Sequence, residues 1–264
     1  MSMTVTGAAR IQMSDAMVKL SSMNRINSAA DDAAGLAVAQ ALEAQIRGLD
    51  KGTDNTLDMQ NLVKTAEGGL ASIDDGLQRI RELTVQASNG IYNDSDRALI
   101  QMEIDQMIQG INDVARNTEF NNKKLLDGSF VNQHTASYAD ASGASVTIPD
   151  MSGIARMLSG YSVEGTDASG KPNAVEMLGK VDDAMAQVSN TRAYLGAVSN
   201  KFDHTVNSNS ITMLNQASAK SRITDLDVAK ATTDLSRDNT VNQYRAFMQK
   251  QQQQQNNTLL SLLG

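Results

Sequence analysis

The chain has no cysteine and no tryptophan, and only two prolines and two histidines among its 264 residues; aromatic residues make up 3%. Without cysteine there are no disulfides and no thiolate metal ligands, although this does not identify the compartment. With so few aromatics, the core has to be built from Ala, Leu, Ile, Val and Met. These pack well between helices and poorly as the core of a large sandwich. Pro149 and Pro172 are the only prolines, so long stretches are free of helix breakers. No run approaches the roughly 20 apolar residues of a membrane span. The opening MSMTVTGAARIQMSDAMVKL also lacks a continuous apolar segment, so no cleaved signal peptide is expected. The net charge of −7 comes without a concentrated basic patch, which argues against nucleic acid as a partner.

Helical periodicity fills much of the remainder. Leu42, Leu49, Thr56, Val63, Leu70, Leu77 and Thr84 recur every seven residues, with Met59, Ala66, Ile73, Ile80 and Ala87 in a second register. This is an a/d seam, imperfect at its threonines. Asp31 and Asp32 precede it and suit a helix N-terminus. A helix from about Ala33 to Ser88 would be roughly 80 Å long and cannot bury its stripe without partner helices. Asn89-Gly90 should end it, and Asp94 or Ser95 should cap the next helix, whose stripe is Ile100, Ile104, Met107, Ile111 and Val114. The short connection predicts an antiparallel pair.

A third long helix is expected from Asn173 to about Ala219. Val181, Val188, Leu195 and Phe202 are spaced by sevens, with Leu178, Met185, Val198 and Val206 beside them. SAKSRITDLDVAKAT then interrupts, and helix formers resume to an apolar tip, LLSLL. An apolar chain end implies that something covers it. Residues 128–172 are rich in Gly, Ser, Ala, Asp and Thr, with strand candidates at 144–149 and near Phe130. The expected class is mostly α: a long antiparallel helical bundle or coiled coil built from both termini, with a small, surface-exposed β-turn insert in the middle.

No catalytic, cofactor or metal site is expected. His134 and His204 lack neighbours at metal-ligand spacing. GTDASGKP, Gly165 to Pro172, nearly matches a phosphate-binding loop, but Pro172 stands where a hydroxyl would bind magnesium. Asp31–Asp32, Asp74–Asp75 and Asp182–Asp183 are adjacent in sequence and diverge on a helix, so they read as helix-end charges or solvated faces. The glutamine run 251–255 reads as the uncharged face of a helix. One stretch needs a partner. In LQRIRELTVQA, residues 77–87, Leu77, Ile80, Thr84 and Ala87 point one way, while Leu83 falls on the Arg79–Gln86 stripe among polar residues.

RINSAADDAAGLAVAQALEAQIRGL (25–49), AEGGLASIDDGLQRIRELTVQASNG (66–90), NTEFNNKKLLDGSF (117–130), ASAKSRITDLDVAKAT (217–232) and the closing LLSLL resemble bacterial flagellin, in the same order and over both terminal thirds. The resemblance implies a subunit of a homopolymeric filament for motility, in a short form without the family's large outer domains. It implies inner-core terminal helices at 1–32 and 222–264, an outer-core rod at 33–127 and 173–221, and a variable insert at 128–172. A related hook–filament junction protein is the alternative. Before Leu20-Ser21-Ser22 the family runs longer, so the innermost domain should be shortened; Met23 stands where glycine is usual. The glycine-containing hairpin common after KKLLDGSF is replaced by VNQHTASYADASGAS.

The resemblance further implies export through the flagellum's own secretion channel to the extracellular filament, without a cleaved leader. The partners it implies are an export apparatus, a secretion chaperone, and cap and hook-junction proteins. Arg25 and Asp31 are expected in polar contacts between subunits, and Leu259, Leu260, Leu262 and Leu263 in polymerisation. The LQRIRELTVQA motif corresponds to the surface that the flagellin-sensing Toll-like receptor binds. This carries over to Arg79 and Leu83, with Glu103 on the next helix: a multidentate guanidinium beside an exposed apolar anchor.

Overall fold

The computed structural model describes residues 13–130, 133–134, 145–166 and 173–263. Residues 13–22 are helical (α1). There follow α2 (Ala33–Ala87), α3 (Asp94–Asn117), β1 (Glu119–Phe120), β2 (Lys123–Lys124), β3 (Gln133–His134), β4 (Ser145–Val146), α4 (Ser152–Leu158), α5 (Asn173–Thr224) and α6 (Val228–Leu263). The chain divides into two compact units, Met1–Arg47 with Thr212–Gly264, and Gly48–Ile211. Long helices packed on one another dominate, as expected, and α5 runs five residues beyond the expected Ala219.

In the unit Gly48–Ile211, α2 packs antiparallel to both α3 and α5. Along α2 and α3, Gly69 faces Thr118, Gly76 faces Ile111 and Arg79 pairs with Glu103. Along α2 and α5, Thr53 meets Asn209, Gln60 meets Asp203, Asp74 meets Arg192 and Arg81 meets Asp182. The heptad positions Val63, Leu70 and Leu77 are buried, as are Ala66, Ile73, Ile80 and Ala87 in the second register. From α5 they meet Met177, Val181, Ala184, Val188, Leu195 and Phe202 in one continuous core. The threonines that interrupt the seam are buried too. Thr56 Oγ1 donates to Gly52 O at 2.7 Å and Thr84 Oγ1 to Ile80 O at 2.7 Å, so each hydroxyl is satisfied inside its own helix.

The cap of α3 differs from expectation. Asn93 is the N-cap, accepting from Asp96 N while the Asp96 carboxylate accepts from Asn93 N, a capping box. Neither Asp94 nor Ser95 is the cap; both lie within the helix. The buried stripe is Ile100, Ile104, Ile108, Ile111 and Ala115. Met107 and Val114 flank it, only partly buried, because α3 is covered on two sides and its apolar face is wider than one stripe.

The central insert is not surface-exposed throughout. Val146, Ile148, Met151, Ile154, Leu158 and Val163 are buried in the same core, and α4 packs on α3. The main chain is tied in as well: Met151 N donates to Leu126 O at 2.8 Å and Val163 N to Gln101 Oε1 at 2.8 Å. The apolar residues switch from strand to helix spacing within a few positions, so no single period marks them. β3 and β4 pair antiparallel, Gln133 opposite Val146. An unexpected second hairpin pairs β1 with β2 through Asn121 and Asn122, at φ 49° and 61°. Two asparagines in the left-handed region make the tight turn that a twisted hairpin favours. Residues 167–172 of GTDASGKP lie outside the described residues.

In the unit formed by both ends, α2 and α5 again run antiparallel, with Glu43 bonded to Lys220 and Gln45 to Gln216. The interrupting segment is shorter than expected, because α5 continues to Thr224 and only 225–227 separate it from α6. Met23 ends α1 at φ 55°. That conformation costs a side-chain-bearing residue about 1–2 kcal/mol, which explains why glycine suits the position. Leu226 N donates to Met23 O at 3.0 Å and holds it there.

Two outcomes follow from this packing. Leu77→Ala, at a fully buried seam position, should destabilise the chain by about 2–5 kcal/mol in chemical denaturation, whereas Val85→Ala, half-exposed on the same helix, should stay within about 0.5 kcal/mol. Met23→Gly should gain about 0.5–1 kcal/mol locally, since relief of the left-handed strain exceeds the entropy glycine adds to the unfolded chain. Slower hydrogen exchange at Leu226 N would report that gain.

Candidate functional site

Three places carry the residues singled out from the sequence. The first is the segment 23–32, between α1 and α2. Asn24 pairs antiparallel with Asp225 in an isolated bridge, and Arg25 N donates to Thr224 O at 2.7 Å. The Arg25 guanidinium donates through Nη2 to Ile223 O at 2.5 Å, satisfying a carbonyl in the last turn of α5. A cation is also the favoured charge at that end of a helix.

Asp31 organises the other half of this junction. Its carboxylate accepts from Lys19 Nζ at 2.7 Å, and from the Asn27 and Ser28 N–H groups at 3.1 Å each. The Lys19 ammonium, then the two backbone amides, lower its pKa from an ordinary 3.8 to about 2. Asp32 Oδ1 accepts from Gly35 N at 2.8 Å in the first turn of α2, as a helix-start carboxylate should. Within the single chain, Arg25 and Asp31 both have partners, Arg25 on the end of α5 and Asp31 on Lys19 and two backbone amides. For Arg25 the reason is that Ile223 and Thr224, far away in sequence, come alongside. Nothing local in the sequence signals this, and Lys19 gave no signal either.

The second place is the α2–α3 face. Arg79 donates from Nη2 and Nε to Glu103 Oε1, at 2.8 and 3.2 Å, and from Nη1 to Glu82 Oε2 at 3.1 Å. Glu103 first, then Glu82, raise the guanidinium's pKa. Arg79 and Glu103 are both about half-exposed, and the structure brings them together as an ion pair between α2 and α3. Leu83 is different. It is 2% exposed and part of the core, not an exposed apolar anchor. α2 is covered by α3 as well as by α5, so the buried sector widens to include a residue that a single seam would leave outside.

The acidic pairs also depart from expectation. Asp74 and Asp182 tie α2 to α5 through Arg192 at 3.3 Å and Arg81 at 2.8 Å, so they are not merely solvated. The third place is the tip of α6. Leu259, Leu260, Leu262 and Leu263 lie on the helical backbone, and their side-chain surroundings lie outside the described residues. Among the described residues there is no group of side chains able to hold a metal ion, and no helix long and apolar enough to cross a membrane. His204 is exposed on α5.

Two family descriptions match the chain: the bacterial flagellin N-terminal helical region over residues 2–131, and the C-terminal helical region over 178–263. A flagellin of Halalkalibacterium halodurans is 38% identical, over 94% of this chain and 90% of its own length. One from Bacillus subtilis is 38% identical over 94% and 91%, and flagellin FlaB2 of Treponema pallidum 35% over 97% and 94%. A hook-associated protein structure from Vibrio parahaemolyticus shares the fold, with a TM-score of 0.61 and 16% identity, over 74% of this chain and all of that one. The chain belongs to the bacterial flagellin family, whose members are structural proteins and not enzymes.

Proposed function

We propose that the chain is the repeating subunit of a flagellar filament, polymerising through the unit formed by its two ends. The observation that carries this is α6. The helix has 36 residues, yet none of residues 228–258 is buried. Tyr244 is 69% exposed and Phe247 61%. In the whole of that unit, the only buried apolar side chains among the described residues are Ile26 and Ala39. A helix in water gains most of its stability from packing an apolar face, and large apolar patches on a monomer mark interaction surfaces. Other copies of the chain are the covering that the family membership supports. Residues 1–32 and 222–264 would form the inner core, with the rod at 33–127 and 173–221 outside it. The relatives are flagellins over nine-tenths of the chain, which favours the filament subunit over the hook–filament junction protein.

This reading brings its partners with it. The subunit would pass through the flagellar export apparatus with a secretion chaperone and without a cleaved leader. It would assemble beneath a cap, beyond the hook-junction proteins, outside the cell. Deleting Leu259–Gly264 should abolish filament formation while circular dichroism shows the helices of 40–215 intact. Polymers formed as readily by the truncated chain would remove the apolar tip from assembly.

A second use of the α2–α3 face is supported by the half-exposed Arg79–Glu103 pair: docking of the host Toll-like receptor that senses flagellins. With Leu83 buried, the charged pair, and not an apolar anchor, carries this reading. Arg79→Ala with Glu103→Ala should weaken monomer binding to the receptor ectodomain by about 2 kcal/mol if the pair is a hot spot, measured by direct titration. Unchanged affinity would leave the pair as a tie between two helices.

A further inference from the structure

Asparagine precedes glycine once in the sequence, at Asn89-Gly90, in the bend that joins α2 to α3. The backbone amides there are nearly all occupied. Ser88 N donates to Thr84 O at 3.0 Å, Asn89 N to Gln86 O at 3.2 Å and Tyr92 N to Asn89 O at 3.3 Å. Ile91 N donates to the Asn89 side-chain carbonyl, Oδ1, at 3.2 Å. The exception within 88–92 is Gly90 N, which has no acceptor among the described residues.

The surroundings are open. Asn89 and Gly90 are exposed, and a Cβ built on Gly90 would meet nothing within 4 Å. Gly90 is not among the residues in the left-handed region, so its role is not that of a left-handed helix cap. What glycine contributes is an unhindered backbone nitrogen next to an asparagine amide.

We propose that Asn89 is a site of spontaneous deamidation in the folded chain. Gly90 N gives its proton to hydroxide and bonds to Asn89 Cγ. Water returns a proton to Nδ2 as the Cγ–Nδ2 bond breaks, so the nitrogen leaves as ammonia, hydroxide is regenerated and a five-membered succinimide closes. Water opens the ring at either carbonyl, leaving an aspartate or an isoaspartate. No redox partner is needed, and water is the sole co-reactant. Two features favour the first step. The nucleophilic nitrogen has no hydrogen bond to break, and the Ile91 N–H already sits on the oxygen that becomes negative as the bond forms. The product adds one negative charge per chain, and the isoaspartate route also adds a methylene to the main chain. The bend between two core helices thereby records the age of the molecule.

The full-length chain, incubated folded in mildly alkaline buffer, would be digested with trypsin. The peptide Glu82–Arg97 holds Asn89 together with Asn93, so fragment masses assign conversion to each. Conversion at Asn89 should outpace that at Asn93 by roughly an order of magnitude and run within a few-fold of the rate in the denatured chain. Gly90→Ala, which fits without strain, should slow it by a similar factor with an unchanged circular dichroism spectrum, because a Cβ hinders the attacking nitrogen. Equal rates at Asn89 and Asn93 would overturn the proposal. So would a folded rate far below the denatured one, or a Gly90→Ala chain that deamidates as fast as the parent.

Discussion

The antiparallel seam between α2 and α5 is the contact on which the rest of the molecule depends. Neither helix can bury its apolar stripe alone, and the two lie in opposite halves of the sequence. Once Leu70, Leu77, Val181 and Val188 are packed together, α3 has a surface to fold back on, and the insert has a core to close against. The charged ties Arg81–Asp182 and Arg192–Asp74 sit at the edge of this seam. As solvent-accessible pairs they contribute little energy, but they favour one register of the helices over its neighbours.

The two compact units use helices in different ways. The unit Gly48–Ile211 closes its apolar surface with three helices and an insert, and its buried threonine hydroxyls at Thr56, Thr84 and Thr191 are satisfied within their own helices. The unit made by the chain ends has few buried apolar side chains and relies on polar geometry: Arg25 on a helix-end carbonyl, Asp31 gathering Lys19 and two amides, and Lys220 on Glu43. Hydrogen bonds and ion pairs of this kind set direction well and stabilise weakly. They define where the terminal helices leave the junction without covering those helices.

Much of the fold could be read from the sequence because long helices repeat one signal many times. The sevenfold recurrence from Leu42 to Thr84 marked α2 within a residue of its observed end. Features that needed knowledge of two neighbours at once were not legible. Leu83 looked exposed because one stripe was counted, whereas α2 packs against two helices. The hairpin at Glu119–Lys124 is too short for a period, and only its Asn-Asn turn could have marked it. The insert's apolar residues change spacing midway. At the candidate sites, a motif singled out Arg79 and Glu103 on neighbouring helices but not the ion pair between them, while the carbonyl that Arg25 reaches lies across a sequence distance that no local pattern spans.

That distance also governs how the chain comes to be folded. Lys220 and Glu43 are separated by 177 positions, and Arg25 and Ile223 by 198. Closing loops of this length is slow compared with forming a helix. During synthesis, the early segment of α2 therefore waits, without its seam partner, until almost the whole chain has been made. A polypeptide that cannot complete its fold until its last quarter arrives keeps the early part of α2 without its seam partner for most of its production.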